Sequence, residues 1–374
     1  MTFTIISHVV HKKNKLGQIG GYAPYVREMN LWLKHVDKVV IVSPIIEQEF
    51  DAIDMAYQHD NIEFITTPSF NLTSVANIFK TLLNLPILIG RVFSGMSKAD
   101  HIHLRCPGNQ GLIGSFVQIL FPSKTKTAKY AGNWDFESKQ PWSYRWQQKL
   151  LRNTFLTKNM QVLVYGNWPD RNKNIKPFFT ATYHESEIIE TPVRTLDKTN
   201  PVKLIYVGSL VPGKQPLASA EVCKNLVDKG VNAKLHFYGE GAERKVLTEY
   251  ISSHGLSKSI FLHGNVNKDT LINAWRESHF LVFISKSEGW PKAVAESMFW
   301  GCLPLTTKVS CVPEMVGNGT RGDLVNPQPS EIAGLIKSYI SAPEKYRDKC
   351  TAAMSWSQQF TLEKFEKEIQ ELLN

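Results

Sequence analysis
The chain has 374 residues, 43% of them apolar and 21% charged, with 43 Lys and Arg against 34 Asp and Glu for a net charge of +9. This length fits two domains, and the composition excludes a disordered chain, a collagen-like fibre, a coiled coil and a small disulfide scaffold. A pI near 9.1 suits anionic partners: phosphorylated metabolites, nucleic acid or an anionic membrane face. The five cysteines (Cys106, Cys223, Cys302, Cys311 and Cys350) are scattered and form no CxxC pair, so they read as reduced thiols of a cytoplasmic protein.

In chain order, FTIISHV reads as an apolar strand, KNKLGQIGGY as a glycine-bearing loop and APYVREMNLWLKHV as a helix. KVVIVSP and NIEFITTP follow as strands. The stretch from Val75 to Met96 is apolar but interrupted by Lys80, Asn84, Pro86 and Arg91, so it fails as a spanning helix. It reads as a pair of core-facing helices or as a helix lying on a bilayer surface. DHIHLRCPG is a further strand and GLIGSFVQIL a helix. Between Ser123 and Lys176, eleven Lys or Arg face three acids, with Trp134, Trp142, Trp146 and Trp168 interleaved. That pattern suits a solvated loop face or an anionic lipid surface. Thr191–Pro201 is polar, Pro-flanked and linker-like.

Strand–helix alternation then restarts. KLIYVGSL, AKLHFYGEG, SIFLHGNV, HFLVFISKS and LPLTT are strands. PLASAEVCKNLVDKG, ERKVLTEYISSHG, KDTLINAWRES and PKAVAESMFWG are the helices between them, the last with Pro291 in its first turn and Gly301 past its end. Two such units predict an α/β protein of two doubly wound, Rossmann-like domains with a cleft between them. The expected division is 1–195, 196–352 and a final amphipathic helix, 353–374, returning to the first domain.

SEGWPKAVAE is the most informative segment. Glu288 ends a strand, Glu296 lies in the second turn of the next helix, and the helix start between them is a ready anion site. A sugar nucleotide diphosphate needs that set: an acceptor for sugar hydroxyls, an anion cradle and an acceptor for a ribose diol. Taken alone, Glu288 reads equally as a helix cap and Glu296 as a solvent-facing helix residue.

SEGWPKAVAESMFWGCLPLTT resembles the signature of retaining glycosyltransferases of the GT-B fold, glycosyltransferase family 4. YVGSLVPGKQPLASAEV, FYGEG, FLHGNV and VPEMVGNGTRGDLVNP resemble that family's neighbouring segments, in order, over about residues 200 to 335. The resemblance implies a GT-B architecture and a role for each matching residue. Glu288 contacts hydroxyls of the transferred sugar, Gly289 and Trp290 present backbone N–H groups, and Pro291 and Lys292 open the helix. Glu296 accepts the ribose hydroxyls and Lys214 neutralises the departing diphosphate. Gly239 and Gly241 let backbone approach the nucleotide, and His263 and Gly264 border the base. In the N-terminal half, Gly20 and Gly21 match the glycine loop, and His103 the family's catalytic-domain histidine, with Arg105 as its neighbour. Ser209 stands where the family usually has an arginine, with Lys292 and Arg105 as substitute cations.

These implications amount to a metal-independent hexosyltransferase with no resident cofactor, since the chain has no DxD motif. Its donor is a nucleotide-diphosphate sugar and its acceptor a glycan, lipid-linked, in cell-surface polysaccharide synthesis on the inner face of the membrane. No residue stands out as a covalent nucleophile, and nucleic acid is not an expected partner. A catalytically degenerate carbohydrate- or lipid-binding relative and a sugar-nucleotide epimerase are the rival readings. An NAD-dependent oxidoreductase lacks both GxGxxG after the first strand and an acid ending the second.

Overall fold
A computed structural model describes residues 1–51, 53–68, 75–169, 172–189, 192–197 and 199–374, without side chains for 75–82. The chain divides into two units, Met1–Phe179 with Lys364–Asn374, and Thr180–Glu363.

The first unit is built on β1 (Thr2–Ile6), β2 (His11–Lys13), β3 (Ile19–Tyr22), α1 (Ala23–Leu33), β4 (Lys38–Ser43), β5 (Ile45–Glu47), β6 (Asp54–Ala56) and β7 (Ile62–Thr66). It continues through α2 (Val75–Lys98), β8 (His101–Cys106), α3 (Asn109–Val117), β9 (Thr125–Tyr130), α4 (Trp142–Arg152), β10 (Met160–Tyr165) and β11 (Ile175–Phe178). Seven parallel strands form the sheet β11-β10-β9-β8-β1-β4-β7. Runs such as VVIVS and VLVY are buried end to end because a parallel sheet is covered on both faces. From β1 the chain moves to β4, whereas from β8 it moves to β9 and β10, in the opposite direction. Right-handed crossovers therefore put α1 on one face and α2, α3 and α4 on the other.

A second, four-stranded sheet, β5-β2-β3-β6, replaces the expected glycine-bearing loop. Gly20 and Gly21 lie in β3, antiparallel to β2 and β6. A Cβ at Gly20 would stand 2.2 Å from the Met55 carbonyl oxygen, and one at Gly21 3.4 Å from that of Val10. These glycines permit close strand packing rather than a mobile loop. The Val75–Met96 stretch is one helix, not a pair: α2 runs through Pro86, whose missing N–H falls on an exposed side.

The second unit contains β12 (Val202–Val207), α5 (Pro216–Asp228), β13 (Ala233–Tyr238), α6 (Arg244–Ser253), β14 (Ile260–Gly264), α7 (Lys268–Glu277), β15 (Phe280–Phe283), α8 (Lys292–Phe299) and β16 (Leu303–Thr306). It closes with α9 (Val312–Met315), β17 (Asp323–Leu324), α10 (Pro329–Ser341) and α11 (Pro343–Ser357); α12 (Leu362–Leu373) follows. The parallel sheet is β14-β13-β12-β15-β16-β17. Its core joins Leu204, Tyr206, Leu235, Phe237, Phe280 and Val282 to Leu226 of α5 and Ile332 and Ile336 of α10. In the linker-like stretch, Thr191 and Lys198 lie outside the described residues, while Leu196 is buried in this core and Val193 packs against it. All five cysteines are buried and free. Among the described residues no helix is long and apolar enough to cross a membrane.

Candidate functional site
In the second sheet, β12 and β15 are neighbours whose following helices lead in opposite directions, to β13 and to β16. Ligands of doubly wound sheets sit at the carboxyl ends of such a strand pair. Lys214 follows β12 there and Glu288 follows β15. The Lys214 Nζ lies 3.0 Å from Glu288 Oε1, which also accepts a 2.7 Å bond from the Ser285 hydroxyl. The two loops are tied together, since the Lys286 N–H donates to the Gly213 carbonyl at 2.9 Å. Lys214 also lies 5.2 Å above the Phe283 ring.

Glycines bring the neighbouring loops flush with this point. Gly208, Gly239 and Gly264, at the ends of β12, β13 and β14, all have positive φ, +150°, +139° and +74°. Gly208 N–H donates to the Tyr238 carbonyl and Gly239 N–H to that of Gly264. A Cβ on Gly239 would stand 2.0 Å from the Gly208 oxygen, and one on Gly241 2.3 Å from the Leu210 oxygen. His263 is exposed and stacks between His236 and Tyr238, with centroids 5.2 and 4.6 Å away. Burial lowers the His263 pKa; burial first, and then His263, lowers His236 to about 4, so both rings are neutral at pH 7.

α8 begins after Pro291 with no side-chain cap. The loop before it is fastened by bonds to the Gly289 carbonyl from Ser310 Oγ at 2.8 Å and Cys311 Sγ at 3.5 Å. Its Trp290 ring packs near Trp356 and Phe360, at 6.5 and 5.9 Å. One turn into α8, Glu296 takes a different partner from Glu288: the Thr182 hydroxyl donates to its Oε1 at 2.9 Å. Burial raises the Glu296 pKa, opposed by the Lys292 cation, by the Thr182 bond and by Lys268. The structure thus joins Lys214 directly to Glu288 and places Glu296 beyond the helix mouth in its own polar niche. Ser209 is exposed, and its carbonyl accepts from Tyr206 Oη at 2.9 Å.

Two candidate residues of the first unit are packed among other side chains. His103 is in the middle of β8, with 0% exposure. Its Nδ1 is 2.8 Å from Thr127 Oγ1, and its ring packs on Trp32 and Phe3 at 4.7 and 5.5 Å. It is a packed core residue, held neutral by burial. Arg105 forms a buried ion pair with Glu28 and lies 5.2 Å over the Tyr25 ring. At this unit's own reversal of strand order, between β1 and β8, stands a residue that motif reading passed over. His8 is exposed directly after β1, and a Cβ on Gly108 would come within 2.5 Å of its ring. Thr182 and Ser285 were also missed; neither belongs to a charged motif.

Residues 188–354 match the family model described as "Glycosyl transferases group 1". The matched segment is similar to a group 1 glycosyltransferase domain. It contains Lys214, Glu288 and Glu296. Among curated proteins, CapJ of Staphylococcus aureus is 26% identical over 194 residues, 48% of this chain and 46% of that protein. The chain thus spans about half the length of the curated relative it matches. Among solved structures, HepE of Anabaena in complex with UDP and glucose aligns with a TM-score of 0.68 at 16% identity, covering 100% of this chain and 99% of that one. The lipopolysaccharide outer core galactosyltransferase WaaB aligns at 0.70 and 12% identity, with 100% and 99% covered. TarM aligns at 0.59 and 16%, over 76% of this chain and 58% of its own. At these identities the likeness is one of fold, that of GT-B glycosyltransferases.

Proposed function
We propose that the chain is a retaining, metal-independent glycosyltransferase that moves a hexose-type sugar from a nucleotide diphosphate to a hydroxyl of a growing, lipid-linked cell-surface polysaccharide. The observation that carries the reading is the Lys214–Glu288 pair at the strand-order reversal of the group 1 domain. A diphosphate bears more negative charge than one carboxylate, so it draws the ammonium of Lys214 onto itself and releases Glu288 to the sugar hydroxyls. As the bond from the anomeric carbon to the diphosphate breaks, negative charge grows on the leaving oxygen. Lys214 and the uncapped start of α8 stabilise it in this reading. Gly289 and Trp290 then face the sugar through backbone, Glu296 accepts the ribose diol, and His263, Gly264, Gly239 and Gly241 border the nucleoside. Attack by the acceptor hydroxyl on the same face retains the anomeric configuration without a covalent enzyme intermediate. The likeness to HepE in complex with UDP and glucose, and to the lipopolysaccharide outer core galactosyltransferase WaaB, supports a nucleotide-sugar donor and a glycan acceptor.

Ser209, in place of an arginine, favours a second reading: a degenerate carbohydrate- or lipid-binding relative. One assay separates the two. Purified protein with a panel of nucleotide sugars releases nucleoside diphosphate, and Glu288→Gln lowers the rate by about 10²–10³-fold, the scale for removing one group that stabilises developing charge. Release at background level by the wild-type chain, unchanged by Glu288→Gln, supports the degenerate relative.

A further inference from the structure
The group 1 domain leaves unused the basic, tryptophan-bearing region of the first unit, and the structure sorts its four tryptophans. Trp134 is fully buried against Tyr130 and Phe136. Trp168 is half-buried and donates to the Tyr165 carbonyl at 2.7 Å. Trp142 and Trp146 point outward, 69% and 56% exposed, one helical turn apart on α4. Arg145 and Lys149 are exposed at the intervening positions of the same face, so Trp142, Arg145, Trp146 and Lys149 follow i, i+3, i+4, i+7 spacing. The sequence of α4, WSYRWQQKLLR, contains no acid. Its opposite face is anchored without the tryptophans. Leu150 and Leu151 are buried, Gln147 Oε1 accepts from the Gly108 N–H at 3.2 Å, and Gln148 Nε2 donates to the Asn133 carbonyl at 3.2 Å. Just past the helix Phe155 is 76% exposed, with the Lys158 ammonium 5.5 Å over its ring. In sequence, the half-buried Asp135 and the exposed Glu137 precede the helix.

We infer that the outer face of α4, continued by Phe155 and Lys158, docks on an anionic lipid bilayer. Indole rings favour the headgroup level, a phenyl ring sits deeper, and Lys and Arg on the same face meet lipid phosphates. A glycan-binding surface would set amides or carboxylates beside its stacking rings. Here the glutamines turn inward, and cations lie beside two of the exposed rings: Lys149 is 6.0 Å from the Trp146 ring and Lys158 5.5 Å from the Phe155 ring. The inference deepens the proposal of a lipid-linked acceptor, on which its biological sense rests, but its residues are separate from the donor site.

Sedimentation of the full chain with vesicles tests it. At about 0.1 M salt, the protein pellets with vesicles of phosphatidylcholine and phosphatidylglycerol and stays in solution with phosphatidylcholine alone. Arg145→Gln with Lys149→Gln weakens partitioning by about tenfold or more, at roughly fivefold per cation near the surface. Trp142→Ala with Trp146→Ala weakens it as well, and Trp142→Phe with Trp146→Phe restores part. Circular dichroism melts and nucleotide binding of each variant match the wild type, so loss of vesicle binding is distinguishable from loss of fold or of the donor site. Failure of the wild type to pellet with anionic vesicles overturns the inference. So does undiminished binding by a folded double variant, or retention on an anionic polysaccharide such as heparin without vesicle binding.

Discussion
Glu288 is held from two sides, by Lys214 and by Ser285, whereas Glu296, eight positions along, bonds to Thr182. The two carboxylates differ in consequence. Burial lifts the Glu296 pKa above its ordinary value. Over the pH window from the ordinary carboxylate value upward, the folded state holds more proton than the unfolded, so rising pH removes stability. Glu296→Gln keeps an acceptor for Thr182 and abolishes that titration. Urea melts from about pH 4 to 7 therefore show the variant losing less stability than the wild type as pH rises, with weaker nucleotide binding; parallel curves contradict the assignment. Much of this site was legible as residues: Lys214, Glu288 and Glu296 each sit in a recognisable segment. Thr182 was not, because its hydroxyl meets Glu296 across 114 positions of sequence. The setting of His103 was not legible, because a histidine's ring fits a core beside Thr127 as well as it fits a cleft.

At the scale of elements, the end of each strand decides what the site is. β12, β13 and β14 end in Gly208, Gly239 and Gly264, whose left-handed backbone turns the three loops flush with one another. Gly239 is the most constrained, because a side chain there would occupy the Gly208 carbonyl and demand a φ that L-residues avoid. Gly239→Ala destabilises the second unit by about 3 kcal/mol or more, combining backbone strain with steric displacement. A chemical denaturation midpoint unchanged from the wild type contradicts this packing. Strands and helices of the second half were legible because apolar runs and glycine or proline boundaries agree there. The first half was less so. GQIGG has the composition of a loop, yet its glycines allow close pairing in a small antiparallel sheet. Pro86 looked like a break, yet α2 continues through it on an exposed side. The tryptophans of α4 and its surroundings could be sorted into buried and exposed only once Gln147, Gln148, Leu150 and Leu151 were seen to form the inner face.

For the whole molecule, two parallel sheets in one chain supply two strand-order reversals. On the reading proposed above, the second unit directs Lys214 and an uncapped helix to a diphosphate, and the first directs α4 to a lipid surface. The most direct measurement is the thermal stability of the full chain with UDP, GDP, ADP and their sugars, for the wild type and Lys214→Ala. A ligand at a hundred times its dissociation constant adds about 2.7 kcal/mol, enough to move the melting point visibly. One nucleotide class raises the wild-type melting point, and at the same concentration Lys214→Ala loses most of the rise, a charge-assisted bond of about 1.5–3 kcal/mol being worth tenfold or more in affinity. A folded wild type that no nucleotide stabilises, or a Lys214→Ala chain stabilised equally well, contradicts the donor site.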